Sequence, residues 1–202
     1  CDQGFIRPPL HMVLLDRRYA AEQATRMAIE RGYKRPGYVH LIHSEREAID
    51  QARLGGYLAA RSVLPQEDHL PVHIARYHDR VGTSVVEWLR ATRPDVVVGF
   101  SDLVGWWLKQ AGVRLPDDMA FVSIDHEPRL SGDITGIIGS NLPVYQAAVE
   151  LLIGQIHLNA YGVPKPLHTL LVEPEWREAS TLPVRVSHDV HPTVNRRRRS
   201  PK

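Results

Sequence analysis

The stretch Arg93–Asp125, RPDVVVGFSDLVGWWLKQAGVRLPDDMAFVSID, narrows the choice of fold more than any other part of the chain. Asp95 to Phe100 is an apolar run led by Val96, Val97 and Val98. Such a run suits a strand covered on both faces, as in a parallel sheet. Burying one valine stabilises by roughly 1.5–3 kcal/mol, so this strand belongs at the centre. It ends at Ser101-Asp102, and the chain turns at once into a helix carrying Trp106, Trp107 and Leu108. Trp106 and Trp107 point ~100° apart on a helix, so one of the two faces the core. Gly112 is placed to close the helix in the left-handed conformation. Leu115 to Asp118 is a turn. Met119 to Ile124 is a second buried strand, ending at Asp125. Two strands joined by a helical crossover make a right-handed βαβ unit. Polar groups at the carboxyl ends of such strands face the crevice where open α/β sheets bind ligands. Asp102 and Asp125 both stand there.

The flanking chain repeats the alternation. Met12 to Leu15 is a short strand ending at Asp16, which is placed to cap a helix lined by Ala20, Ala24, Met27 and Ala28. Tyr38 to Ile42 is a strand. Ser44 to Glu47 has capping-box spacing, and a helical pattern follows to Leu64. Gly55-Gly56 interrupts it at a cost of ~1 kcal/mol per glycine, which points to a close approach by another element. Val72 to Tyr77 is a strand, and Thr83 to Ala91 a helix with Val85, Val86, Trp88 and Leu89 inward. Ile134 to Ile138 is extended, Pro143 to about Ala160 a long helix capped by Asn141, and Leu167 to Val172 the last strand. The fold class is α/β, with a doubly wound, mostly parallel sheet.

Composition excludes several functions. The chain has 202 residues and a formal charge of +2, but residues 196–202 alone hold four Arg and one Lys, so the remainder stands at −3. The globular part is therefore no basic platform for nucleic acid. The Arg-rich end, 183–202, reads as a solvated, disordered tail. No apolar run is long enough to span a membrane, and a single cysteine makes no internal disulfide, which fits the cytoplasm. The pairs His40/His43 and His69/His73 lack the spacing of a metal site, and no cofactor or metal is expected.

Two readings of the strand ends compete. Asp102 and Asp125 would serve equally as caps of the turns that follow them, and Arg53 as a surface ion-pair residue. GFSDL (99–103) has the strand–turn–helix setting of a serine hydrolase nucleophile, Ser101, with Asp125 as acid and His157 or His168 as base. Leu103 opposes this, because that strained turn needs a small residue there.

Several stretches, in order, resemble one family. RLGGYLAA (53–60) is similar to the R-x-x-G-[FY] segment of the lactose-repressor (LacI/GalR) transcription regulators. RPDVVVGFSD resembles their strand ending in Asn-Asp, and AGVRLPDDMAFVSID their G-x-x-x-P-x-D-[IV]-x-V-x-[GS]-[FY]-D. AAVELLIGQI, GVPKP, LLVEP and WREAST resemble their closing segment. The likeness runs from about residue 12 to 182. It implies a periplasmic-binding-protein-like fold with an incomplete N-terminal subdomain (remnant 1–34), a C-terminal effector-binding subdomain (35–135) and a crossover with closing strand (136–182). It further implies a sensor of a small molecule, a sugar or nucleoside-like compound, that forms a homodimer and meets operator DNA through a headpiece absent from this chain. It does not imply an enzyme or a membrane partner. Arg53, Asp102 with Ser101, and Asp125 carry over to effector-binding positions, and Asp16 to the start of the family's pre-hinge helix. Arginine offers a fork of donors and carboxylates accept from paired hydroxyls, while an aromatic such as Trp106 would cover a sugar ring. The chain departs from the pattern at Ser101, which replaces Asn, at His126, where Asp is frequent, in a helix about one turn shorter, and in having no glutamine near 139. An exported sugar-binding component of a transporter shares the architecture and remains the other binding alternative.

Overall fold

The computed structural model describes residues 9–42, 47–76 and 81–185. Its frame is a six-stranded sheet built from β2 (Pro36–Ile42), β3 (His73–Arg76), β4 (Val96–Gly99), β5 (Ala120–His126), β6 (Gly136–Ile138) and β8 (Trp176–Arg177). The order is β3-β2-β4-β5-β6-β8, parallel throughout except for the final antiparallel β6–β8 pair. Val96, Val97 and Val98 are fully buried, as a central strand requires. Chain order reverses between β2 and β4, so the crevice at their carboxyl ends is the natural ligand position.

Helices cover both faces. α1 (Arg17–Glu30) packs along α2 (Glu47–Arg61), and α3 (Val81–Thr92) packs on α4 (Ser101–Gln110). The first pair meets its neighbour through small residues. Ala20, Ala21, Ala24 and Ala28 line α1, and Gly56 of α2 lies so close that a Cβ there would sit 2.0 Å from the Arg18 carbonyl oxygen. Gly55 faces open space, so only one of the two glycines serves the close approach. On the other side Val104, Gly105 and Leu108 of α4 press on β5, where a Cβ at Gly105 would meet the Phe121 ring at 2.8 Å. Trp107 packs on the core and Trp106 is 54% exposed, which decides between the adjacent tryptophans.

A second, smaller unit consists of β1 (Met12–Leu15) paired in parallel with β7 (Thr169–Val172), and α6 (Leu142–His157) laid across them. Val13, Leu15 and Val144 form its core, with Ala147, Ala148, Leu151 and Val172 packed around it. The outer side of α6 leaves several apolar residues uncovered: Val149, Leu152, Ile153 and Ile156 are each about half exposed. The expected remnant, residues 1–34, is thus divided. β1 belongs to the small sheet, whereas α1 joins the large one, because its alanine face needs α2.

Most expected elements are present at shifted ends. Three short ones were not legible, namely a 3-10 turn at Gln66–Asp68, α5 (Pro128–Ser131) and β8. Asn141 makes no side-chain cap; Ser140 Oγ accepts from the Leu142 N–H instead. The capping box at Ser44 and the far ends of the 72–77 strand and the Arg-rich tail fall outside the described residues. Residues 183–185, expected to begin the tail, are held: the Tyr33 hydroxyl donates to the Pro183 carbonyl at 3.0 Å, and Arg185 pairs with Asp95 at 2.9 Å.

Candidate functional site

The cavity where the small sheet and α6 face helices α1 and α2 is the place where chemistry converges. It has a volume of about 390 Å³ and is lined by Asp16, Arg17, Arg18, Arg53, Asn141 and Tyr145 over an apolar floor that includes Leu15 and Val144. That volume lies within the range of small-molecule sites. The lining comes from the end of β1, the start of α1, the middle of α2 and the start of α6, so both units contribute.

Arg53 is the best-built of these residues. It is 4% exposed, and its guanidinium lies 3.8 Å from the centre of the Phe100 ring. Its Nη1 donates to Asp50 at 3.0 Å, while its Nε has no hydrogen-bond partner among the described residues. Burial, then the neighbouring Arg17 charge, pushes the Arg53 pKa down to about 10, and Asp125, Tyr38 and Asp50 work against that. Two further buried polar atoms nearby, Tyr38 Oη and His40 Nε2, also lack a partner among the described residues. Unsatisfied buried groups of this kind are costly unless a ligand or water completes them. The surface ion-pair reading of Arg53 therefore fails, because the residue is interior.

Asp125 stands at the end of β5, and its Oδ1 accepts from Arg17 Nη1 at 3.2 Å. Gly139 makes room for it: a Cβ there would lie 2.4 Å from that same oxygen. Asp102 neither lines the cavity nor caps its own helix. Its carboxylate accepts from His126 Nδ1 at 3.0 Å and from the Glu127 N–H at 2.9 Å, tying the start of α4 to the end of β5. His126 is fully buried. Asp16 caps α1, accepting from the Tyr19 N–H at 2.9 Å.

The sequence-derived set is thus brought together in part. Arg53 and Asp16 line the cavity, and Asp125 reaches it through Arg17. Ser101, Asp102 and Trp106 are not among its lining residues. Arg17 and the Phe100 stack were missed. A basic residue after a helix cap looks like a solvated one, and Phe100 looks like the tail of a buried strand.

Ser101 has φ of +59°, the left-handed turn a nucleophile elbow would use, yet its Oγ accepts from the Leu103 N–H. Asp125 is bound to Arg17 and the His168 ring stacks on His11 with centroids 5.0 Å apart, so neither makes the contact a triad needs. His69 Nε2 donates to the Leu64 carbonyl, and His73 Nε2 lies 3.4 Å from Ser84 Oγ. Among the described residues no group of three or more His, Cys, Asp or Glu is placed to hold a metal. No described helix is long and apolar enough to cross a membrane.

Comparison with solved structures decides the architecture. A LacI-family transcriptional regulator from Enterococcus faecium with bound ribose superposes with a TM-score of 0.65 at 16% identity, over 87% of this chain and 66% of that one. The chain has the LacI-type effector-domain fold. A LacI-family regulator from Rhizobium etli gives a TM-score of 0.67 at 22% identity, over 88% and 66% of the two chains. A periplasmic binding protein/LacI regulator from Alkaliphilus metalliredigens complexed with D-xylulofuranose gives 0.62 at 19%, over 85% and 65%. The chain spans about two thirds of the length of these LacI-type structures. No family model and no curated protein matches the sequence.

Proposed function

We propose that this chain is the effector-sensing part of a LacI-type, DNA-binding transcription regulator, which takes a small polyhydroxylated molecule between its two units. The observation that carries the reading is the 390 Å³ cavity between the small sheet and helices α1 and α2, with a buried, ring-stacked Arg53 whose Nε is unpartnered among the described residues. Guanidinium and carboxylate groups on an otherwise apolar wall suit hydroxyl-rich ligands. The solved neighbours carrying ribose and D-xylulofuranose support the same class. In this reading the effector-binding subdomain is centred on residues 35–135, and 136–182 returns the chain to the small unit and back. Ser101 and Asp102 support the strand end from outside the cavity. In the same reading the protein is a cytoplasmic, non-enzymatic homodimer that acts on operator DNA.

Ligand joins residues of both units, so it favours the arrangement in which they are close. Coupling of this kind is typically ~1–3 kcal/mol, and it acts only if the ligand binds one arrangement better. The test is a thermal-shift screen of sugars and nucleosides, with Arg53→Gln as control. A rise in Tm that Arg53→Gln abolishes supports the reading. Ester hydrolysis that depends on Ser101 would overturn it.

A further inference from the structure

Charge is not spread evenly over this molecule. The amino ends of β2 and β4 lie at the end of the large sheet opposite the candidate site. There Lys34 and Arg35 precede β2, and Arg93 and Asp95 precede β4. Arg185 reaches the same place from the far end of the described chain, and its Nη1 donates to Asp95 at 2.9 Å. Four basic residues therefore cluster around one carboxylate. That carboxylate is already engaged, because Asp95 also accepts from the Lys34 N–H at 2.8 Å and the Arg35 N–H at 3.0 Å. Arg35 is half-buried and donates to the Thr92 carbonyl, whereas Lys34, Arg93 and Arg185 are exposed.

Arg185 is clasped where it stands. Its N–H donates to the Arg31 carbonyl at 2.9 Å, and its guanidinium lies 4.3 Å from the centre of the Tyr33 ring. Residues 186–202 continue from this fixed point and lie outside the described residues. By sequence they hold Arg196 to Arg199 and Lys202 against the single carboxylate of Asp189, with no Phe, Trp or Tyr. Arg196 stands 11 residues beyond Arg185, so at ~3.3–3.6 Å per residue it stays within roughly 40 Å of the rim.

We propose that the rim of Lys34, Arg93 and Arg185, together with the Arg196–Arg199 run, is a docking surface for the phosphate backbone of duplex DNA, bound without regard to sequence. None of these residues lines the ligand cavity, so the surface stands apart from the sensing reading. A duplex carries one negative charge per ~1.7 Å of its axis, and each phosphate neutralised releases condensed counterions. Rim and run act as two linked contacts: once one is engaged, the other is held near its target at high effective concentration. With no aromatic among them, residues 186–202 offer nothing for an unpaired base to stack on, which favours the paired backbone over single strands. Their apolar side chains are valines and prolines, without the Trp, Phe or Leu that seat a segment in a membrane. Glu67 and Asp68 before β3, and Asp117 and Asp118 before β5, confine the contact to the central strands by repelling a duplex that approaches off-centre.

The test is fluorescence anisotropy of the purified full chain with two labelled duplexes of unrelated sequence, each about 20 base pairs long, over about 25 to 200 mM KCl. Both duplexes should bind alike, with an affinity that falls with salt at a slope of about −4 or steeper on logarithmic axes. The combined variant Arg196→Gln, Arg197→Gln, Arg198→Gln and Arg199→Gln should flatten that slope by roughly 3–4 and weaken binding at least about tenfold. Lys34→Gln with Arg93→Gln should flatten it by roughly 1–2 while cooperative melting is retained, since both side chains are exposed. No binding at the lowest salt, an unchanged slope in either variant, or selection of one duplex over the other overturns the inference. Tighter binding to a single-stranded oligonucleotide, or to vesicles of anionic phospholipid, also overturns it, since the partner would then be of another class. Each of these failures leaves the sensing reading standing, because no substituted residue lines the cavity.

Discussion

Gly55 and Gly56 are neighbours in sequence, yet replacing each by alanine should have opposite effects. At Gly55 an added Cβ meets no atom within 4 Å, and the residue is exposed in the interior of α2. Alanine there should stabilise by about 0.5–1 kcal/mol through backbone entropy and helix propensity. At Gly56 the Cβ would lie 2.0 Å from the Arg18 carbonyl oxygen, and 3.0 Å from the Arg18 carbonyl carbon and the Glu22 nitrogen. A close carbon–oxygen contact is about 3.3 Å, so α1 and α2 must separate by roughly 1 Å. The obstacle is backbone, which no rotamer change relieves. Overpacking of this kind costs typically ~1–3 kcal/mol, and the upper end applies because an entire helix interface must shift. For a domain of this size about 3 kcal/mol corresponds to a Tm lower by roughly 6–12 °C, against a rise of about 1–4 °C for Gly55→Ala. Urea denaturation of both variants beside wild type measures the two changes directly. Equal effects, or a stabilising Gly56→Ala, would refute the close-packing argument. Because Arg53 lies one turn away on the same helix, Gly56→Ala should also weaken ligand binding where Gly55→Ala does not.

Other outcomes follow from single contacts. Phe100→Leu keeps an apolar side chain but removes the ring under Arg53; ligand binding should weaken by ~1–2 kcal/mol, measured by titration. His126→Leu removes one of the hydrogen-bond partners of Asp102 and should cost ~1–3 kcal/mol in denaturant unfolding. His40 and His73 are both held below the ordinary histidine value by burial. The unfolded chain then binds more protons than the folded one as pH falls, so stability present above about pH 6.5 is lost below it. The urea midpoint should therefore drop between about pH 6.5 and 5, and His40→Gln should remove part of that slope; a midpoint that rises on acidification would contradict it.

Local rules made the large sheet readable. The valine run of β4, the Asp16 cap and the left-handed Gly112 at the end of α4 each have one short-range cause, and each is present. The strand ends were readable in position but not in role. Asp102 and Asp125 lie where the βαβ pattern puts them, yet one holds His126 and the other Arg17, and neither partnership leaves a local trace. The Arg53 stack joins residues on α2 and at the end of β4, and only the folded sheet brings them together. β8 spans two residues and is set by an edge that β6 offers, a signal too short for periodicity to show. The alanines of α1 show in the sequence that the helix packs tightly, but not against which sheet.

Position 139 carries no functional group at all, yet the oxygen it faces belongs to the carboxylate that Arg17 holds. Any side chain there would push that carboxylate aside before it touched a ligand. A saturation scan scored by sensing should therefore report this silent position as intolerant as the charged ones, and a search restricted to chemically reactive residues would pass it by.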